Sequence, residues 1–291
     1  MVPLLLKKNT KSFEQSFEMR SVKVPHTYDR WHHHVELEFM HILKGSGTRY
    51  IGDSIEGFMD GDMILVGSHL AHFWRSDDMY YQPSNQLTTE LILIHFLEDF
   101  AGKDFFQLPE MQHIKALLKT SKQGIQIMGK TRDIVSQQLI EMPTKTATER
   151  LLSFINILSQ IALSGEYRIL AGIGFVEAYK SNGSERIDKV YDYIFSNFTN
   201  EISLETVADI ANMNVTAFCR YFKTITLKSF TNVLNDVRIG HACKLLLQDD
   251  NDVSSAGYNS GFNNISYFIK TFKRCQGITP LEFKKQHLNN N

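Results

Sequence analysis

The C-terminal part of this chain writes one pattern twice, and few folds can use such a repeat. Leu204-Glu-Thr-Val-Ala-Asp-Ile-Ala-Asn-Met213 leads into Asn214-Val-Thr-Ala-Phe-Cys-Arg-Tyr-Phe-Lys223. Val253-Ser-Ser-Ala-Gly-Tyr-Asn-Ser-Gly-Phe262 leads into Asn263-Asn-Ile-Ser-Tyr-Phe-Ile-Lys-Thr-Phe-Lys273. Phe218, Arg220, Phe222 and Lys223 recur as Phe268, Lys270, Phe272 and Lys273. Each copy predicts a short helix, a tight turn and a second helix with a basic outer face. That is a helix-turn-helix pattern in tandem.

Within the first copy, Ser203 is placed to cap the opening helix, and Glu205 sits near the positive end of its dipole. Leu204, Val207 and Ala211 share one face, and Ala208 is small where a second helix must cross. Phe218 and Phe222, four apart, project together into a core. Thr216, Cys219, Arg220 and Lys223 are then turned toward solvent or a partner. A ten-residue helix is about 15 Å long, enough to lie along a major groove. Two ordinary helical hairpins with solvated basic faces are the plainer alternative. Matched phenylalanines and matched cations in both copies argue against it.

At these residues the chain resembles the AraC/XylS family of bacterial transcription regulators. The resemblance runs from about Arg186 to Lys285, through Ile202-Ser-Leu-Glu-Thr-Val-Ala, Phe222-Lys223, Ser229-Phe230, Arg238-Ile239, Gly261-Phe262, Ser266-Tyr267-Phe268 and Gly277-Ile-Thr-Pro-Leu-Glu-Phe283. It implies two helix-turn-helix units joined by one long helix, here roughly Phe230 to Leu246. By the same resemblance, base contacts come from Thr216, Cys219 and Arg220, then from Ile265, Ser266, Tyr267 and Lys270. Arg220 suits a bidentate grip on guanine, while Lys223, Lys228, Lys273 and Arg274 suit phosphates. Tandem units would read groove segments about 34 Å apart.

Two positions depart from the pattern. Leu227 stands where the second copy has Gly277, so a left-handed turn residue is missing and another turn shape is expected. Ala256-Gly257 replaces Val207-Ala208, and glycine weakens a helix by about 1 kcal/mol against alanine. The second unit is therefore expected to be looser and to contribute less readout.

Charge narrows the DNA reading. The whole chain has 31 Lys and Arg against 32 Asp and Glu, and from Ser184 onward 12 stand against 11. No diffuse basic field carries the binding, so local clusters must. Arg220, Lys223 and Lys228 come without an intervening acid, as do Lys270, Lys273 and Arg274. Asp249, Asp250 and Asp252 are read as an acidic loop facing away from the duplex.

Between about Val22 and His95 short apolar runs are broken by glycine and aspartate, as in Glu36-Leu-Glu-Phe-Met-His-Ile-Leu43, Gly61-Asp-Met-Ile-Leu-Val-Gly67 and Glu90-Leu-Ile-Leu-Ile-His-Phe96. Such spacing predicts a small antiparallel barrel or sandwich. His32-His-His-Val-Glu-Leu-Glu38 running to Gly45, and Gly61 running to His72, resemble the two motifs of the cupin fold. The resemblance puts His32, His34, Glu38 and His72 on its four ligand positions. Gly67, His69 and Ser76 depart from the second motif. Three imidazoles and a carboxylate suit Fe(II), Mn, Ni or Zn. The alternative is a set of hydrogen-bonding histidines in the barrel, with one ring of His32-His33-His34 pointing outside. Trp31, Phe39, Tyr50, Phe73 and Trp74 offer aromatic faces for a sugar or other flat ligand, or simply form core. Arg49 beside them suits an anionic group, or solvent.

Thr131 to Met142 and Ala147 to Leu163 read as two helices. The second carries Leu151, Leu152, Ile155, Leu158, Ile161 and Ala162 on one stripe. It either covers the barrel or forms a dimer interface. Ser181-Asn-Gly-Ser184 reads as a linker. No apolar run approaches the length of a membrane span and no signal peptide is read. Cys219, Cys243 and Cys275 lack paired metal spacing, which points to a reducing cytoplasm.

The sequence thus predicts an α+β chain. Residues 1–100 form a cupin-like antiparallel β-barrel that senses a ligand, 101–183 a helical extension for dimerisation, and 184–291 an all-α tandem helix-turn-helix domain. The function expected is a non-enzymatic, sequence-specific transcription regulator controlled by a small molecule, with a sugar preferred. A divalent metal is a possible cofactor. Its partners are double-stranded DNA, the effector, a second copy of the chain and RNA polymerase if it activates, with no membrane. The rivals are a metal-dependent cupin dioxygenase or isomerase with a DNA-binding tail, and a constitutive DNA-binding protein whose barrel only dimerises.

Overall fold

The computed structural model describes residues 15–28, 30–82, 84–182, 185–247 and 251–288. The described chain forms two compact units, one of residues 15–54 and 58–176 and the other of residues 177–288 together with 55–57. In the first, alternating apolar runs pair into two sheets. Strands β1 (Phe17–Val24), β2 (Leu37–Lys44), β5 (Met63–Val66), β7 (Thr89–Phe96), β8 (Ile125–Ile127) and β9 (Tyr167–Ile169) make a six-stranded sheet in the order β1-β7-β2-β5-β8-β9. Strands β3 (Gly47–Ile51), β4 (Ser54–Phe58) and β6 (His72–Ser76) make a three-stranded sheet in the order β4-β3-β6.

Period-two alternation gives each wall an inner and an outer face. Met40, Ile42, Ile51, Phe58, Ile64, Val66, Leu70, Trp74 and Leu91 come from both sheets and pack as one cluster between them. The other face of the six-stranded sheet presents Leu37, Phe39, Leu65, Ile92, Ile94 and Phe96 to a helical layer. That layer holds α1 (Gln112–Thr120), α2 (Gly129–Glu141) and α3 (Ala147–Ser164). Thr146 and Glu149 close a capping box at the start of α3, a sequence signature that fixes where a helix begins.

Three sequence expectations need correction here. The segment expected to be purely helical also supplies α1 and the three-residue strands β8 and β9, which are too short to show a period. On α3 the buried residues are Phe154, Ile157, Leu158 and Ile161, with Leu151, Ile155 and Ala162 half-buried beside them. Leu152 alone of the expected stripe lies off it and is 61% exposed, while Phe154 and Ile157 join the covered face. The linker is shorter than expected, because α4 (Ile173–Asn182) runs through Ser181. Gly183 and Ser184 lie outside the described residues.

The second unit is helical: α5 (Glu185–Asn197), α6 (Leu204–Ile210), α7 (Val215–Thr226), α8 (Phe230–Leu246), α9 (Val253–Asn259), α10 (Ile265–Gln276) and α11 (Pro280–Leu288). Side chains of Ser203, Asn214, Ser229, Asp252 and Asn264 accept from backbone N–H groups at the starts of α6 to α10. Asp252 is thus a cap rather than part of an acidic loop, and Asp249 and Asp250 lie outside the described residues. Phe218, Phe222 and Phe230 cluster in the first copy. Phe262, Phe268, Phe272 and Phe283 cluster in the second. The long helix α8 carries buried residues along its whole length, from Phe230 to Leu246.

Both departures between the copies have a physical resolution. Leu227 adopts the left-handed conformation itself, at φ 56°, as Gly277 does at φ 78°. The turn keeps its shape and the leucine carries the strain. A Cβ on Gly257 would stand 2.8 Å from a ring carbon of Phe268. The glycine lets α9 and α10 approach closely.

Candidate functional site

In the barrel unit four side chains from three chain segments converge. Glu38 sits on β2, His72 on β6, and His32 and His34 on the segment before β2. The backbone of His32 pairs with that of His72 through an isolated antiparallel bridge, with N–H to O distances of 3.2 and 2.9 Å. All four residues are buried, and one donor atom from each lies within 4.8 Å of the others. His33 points elsewhere, as strand alternation requires. Its ring is 6.1 Å from that of His69.

The hydrogen bonds fix which ring nitrogen faces inward. Nδ1 of His32 lies 2.8 Å from the Arg30 carbonyl, Nδ1 of His34 2.9 Å from that of Glu36, and Nδ1 of His72 2.6 Å from that of Leu70. A carbonyl oxygen only accepts, so each Nδ1 carries a proton and each ring turns its Nε2 inward. Burial, then the neighbouring His72, pushes His32 well below the ordinary imidazole range. Burial also lowers His72, although Glu38 opposes it. Burial would raise Glu38, but the imidazoles of His34, His72 and His95 outweigh it and hold the carboxyl well below its usual range. Glu38 Oε2 is 3.3 Å from His34 Nε2 and 3.7 Å from His72 Nε2, and His72 Nε2 has no hydrogen-bond partner. Lone pairs gathered this closely repel one another unless a cation or a proton lies among them. The donor set fits a divalent transition metal, and the carbonyl-anchored rings are what such a ligand shell uses.

Arg49 and Trp74 share the inner face with His72, because Arg49 pairs with Trp74 and Ile51 with His72. Arg49 is not solvated. It is 1% exposed, and its Nε donates to Asp62 Oδ2 at 3.0 Å. Asp62 Oδ1 accepts from Gln126, whose Oε1 accepts from Arg168. Its carboxylate partner is therefore supplied by the chain. Trp74 stands edge-on to His72 at 5.6 Å, and its Nε1 has no hydrogen-bond partner. Tyr50 and Phe73 stack on the opposite face of the same sheet, with Trp31 at the Phe73 edge. Phe39 belongs to the helix-covered layer. Of the aromatic residues singled out in the sequence, Trp74 is the one within the inner cluster.

In the helical unit Thr216, Cys219, Arg220 and Lys223 are exposed along α7, and Ser266, Tyr267, Lys270 and Lys273 along α10. Ile265 is half-buried, and its Cδ1 would lie 3.2 Å from a Cβ on Gly257. The Tyr267 hydroxyl accepts from Asn235 of α8 at 2.8 Å, which holds the ring over the start of α10. Arg274 and Lys273 extend the basic face through the last turn. Lys228 is tied to Asp236 at 2.9 Å, which draws it away from phosphate.

A helix-turn-helix domain model matches residues 207–286. The chain is 26% identical over 262 residues to the uncharacterized HTH-type transcriptional regulator YdeC of Bacillus subtilis (strain 168), covering 88% of this chain and 86% of that one. It is 23% identical over 259 residues to the transcriptional activator RhaS of Enterobacter sp. (strain 638), covering 87% of each. The chain thus carries a helix-turn-helix domain and is similar over most of its length to HTH-type transcriptional regulators. Other relatives match about a third of the regulator and are covered over only 50 to 55% of their own length. Among solved structures, the DNA-binding domain of AdpA in complex with a target DNA is 22% identical, with a TM-score of 0.35, over 37% of the regulator and 97% of that chain. The two relatives covered over most of their length are named as a transcriptional regulator and a transcriptional activator.

Sequence reasoning missed two functional residues of the regulator. Arg238 donates to the carbonyls of Phe198 and Asn200, both at 2.8 Å, and lies over the Phe262 ring. It thereby binds the lead into the first copy to the turn of the second. His95 lies directly opposite Glu38 on β7, and its Nε2 is 2.7 Å from Glu38 Oε2. It belongs to neither histidine motif. The one signal for it was a histidine at an inward position of an otherwise apolar strand.

Proposed function

We propose that this regulator binds a small effector in the barrel unit and reads double-stranded DNA with the outer faces of α7 and α10. The observation that carries the sensing half is the set of inward-turned Nε2 atoms of His32, His34 and His72 gathered around the buried carboxyl of Glu38. These four residues would hold a divalent cation, which supplies a fixed positive charge able to take an oxygen atom of an organic effector. Trp74, with its indole N–H beside His72, is placed to donate to such an effector. Elemental analysis of untagged protein prepared without chelator tests this, beside His32→Ala/His72→Ala. About one metal per chain, lost in the variant, supports the reading. Metal-free protein recasts the histidines as hydrogen-bonding groups for an organic ligand, and sugars are then the class to screen.

On the DNA side, Arg220 is assigned to a guanine edge, with Thr216, Cys219, Ser266, Tyr267 and Lys270 as the other base contacts and Ile265 at a thymine methyl. Lys223, Lys273 and Arg274 are assigned to phosphates. The working form is a cytoplasmic homodimer, with residues 1–100 as sensor, 101–183 as the dimerising extension and 184–291 as the DNA reader. RNA polymerase is the further partner if the output is activation. The effector acts by favouring one arrangement of the DNA-reading units over another.

A further inference from the structure

Four imidazoles surround Glu38, and they are not of one kind. His32, His34 and His72 each spend Nδ1–H on a backbone carbonyl and turn Nε2 inward. His95 does the reverse. Its Nε2 lies 2.7 Å from Glu38 Oε2, and His95 is not among the four residues whose donor atoms gather within 4.8 Å. A carboxylate that binds a cation can only accept, so with metal in place the proton of that hydrogen bond sits on Nε2 of His95 and removes that nitrogen from the ligand set.

The position is also anomalous for its strand. The inward residues of β7 pair across to β2 as Leu91 with Ile42, Leu93 with Met40, and His95 with Glu38. The first two pairs are apolar, and His95 is 0% exposed. Burying an imidazole among such neighbours is costly unless a specific hydrogen bond compensates it. The bond it makes is to one oxygen of the carboxylate that the other three rings face.

The geometry points to His95 as the positioning residue of the barrel site: an N–H donor that aims the Glu38 carboxylate at a cation held by His32, His34 and His72, without ligating it. This rests on the metal reading above. Outer hydrogen bonds of this kind orient a ligand and tune its basicity, and their loss typically weakens metal affinity about 10- to 100-fold.

The test uses the full chain and Co(II), followed by visible absorption, whose bands report coordination geometry. His95→Leu removes the donor, whereas the Gln in His95→Gln can return an N–H near the place of Nε2. The expected result is one Co(II) in the wild type and in His95→Gln with similar bands. His95→Leu should bind roughly 10- to 100-fold more weakly with altered bands. If His95→Leu matches the wild type in affinity and bands, or if His95→Gln is as impaired as His95→Leu, the assignment is overturned. A measurement without variants guards against misfolding: imidazole nitrogen NMR of the zinc-loaded wild type. It should show the His95 proton on Nε2 and the metal on Nε2 of His32, His34 and His72. A metal-shifted Nε2 at His95 overturns the assignment. Wild-type protein that takes up neither Co(II) nor Zn(II) overturns the metal reading itself and this assignment with it.

Discussion

Leu227 holds a backbone conformation that an L side chain avoids, at a cost of about 1–2 kcal/mol, and its side chain is exposed. Leu227→Gly should relieve that strain, and glycine's extra freedom in the unfolded chain returns about 0.5–1 kcal/mol of it. A net stabilisation of ~0.5–1 kcal/mol is expected in urea denaturation, and destabilisation would show that the leucine makes contacts worth more than its strain. DNA contacts also separate at this scale. Arg220→Ala should cost about 1–3 kcal/mol and relax preference at one base step, while Lys273→Ala should weaken binding to all sequences evenly. Binding measured across a set of operator variants distinguishes the two, and identical profiles would refute the division. His32, His34, Glu38 and His72 could be singled out because they fall on the ligand positions of the two motifs that resemble the cupin fold. His95 was not, because its partner lies across a strand pair whose register the sequence does not print.

At the scale of elements, two contacts decide how strands and helices sit. Arg49 reaches from β3 to Asp62 before β5, joining the three-stranded sheet to the six-stranded one through a buried ion pair. Removing one partner leaves the other charge buried, so Asp62→Ala should cost about 3–5 kcal/mol, whereas Arg49→Met/Asp62→Leu should recover much of it. Chemical denaturation of the four-member cycle checks this, and additive losses would mean the pair does not act as a unit. Gly257→Ala sets two effects against each other. Alanine favours the helix by about 1 kcal/mol, but its methyl meets Phe268 at 2.8 Å, and overpacking costs about 1–3 kcal/mol. The clash should win, with a lower thermal midpoint. The paired phenylalanines and the extent of α8 could be read from the sequence because they recur at helical spacing. Strands β8 and β9 could not, since three residues carry no period and their pairing depends on segments far away in the chain.

For the molecule as a whole, near-neutral charge shapes DNA binding. With 31 basic against 32 acidic residues, attraction rests on exposed Arg220, Lys223, Lys270, Lys273 and Arg274 rather than on a general field. Each phosphate contact should contribute about −0.9 to the slope of log affinity against log salt, so removing Lys273 should flatten that slope by about 1. An unchanged slope would place Lys273 off the backbone. Two compact units with separate cores also predict unfolding in more than one step by calorimetry. Among the described residues no helix is long and apolar enough to cross a membrane.

The bridge between His32 and His72 gives the barrel unit a further property. Its inward donors come from a connecting segment and from one strand of each sheet, so an ion gripped by all of them would act as a removable staple across three stretches of chain. Folding strength would then track the surrounding ion supply: free metal at about a thousand times its dissociation constant would add about 4 kcal/mol. The melting temperature of this unit would become a gauge of the medium, rising with trace metal and falling with chelator.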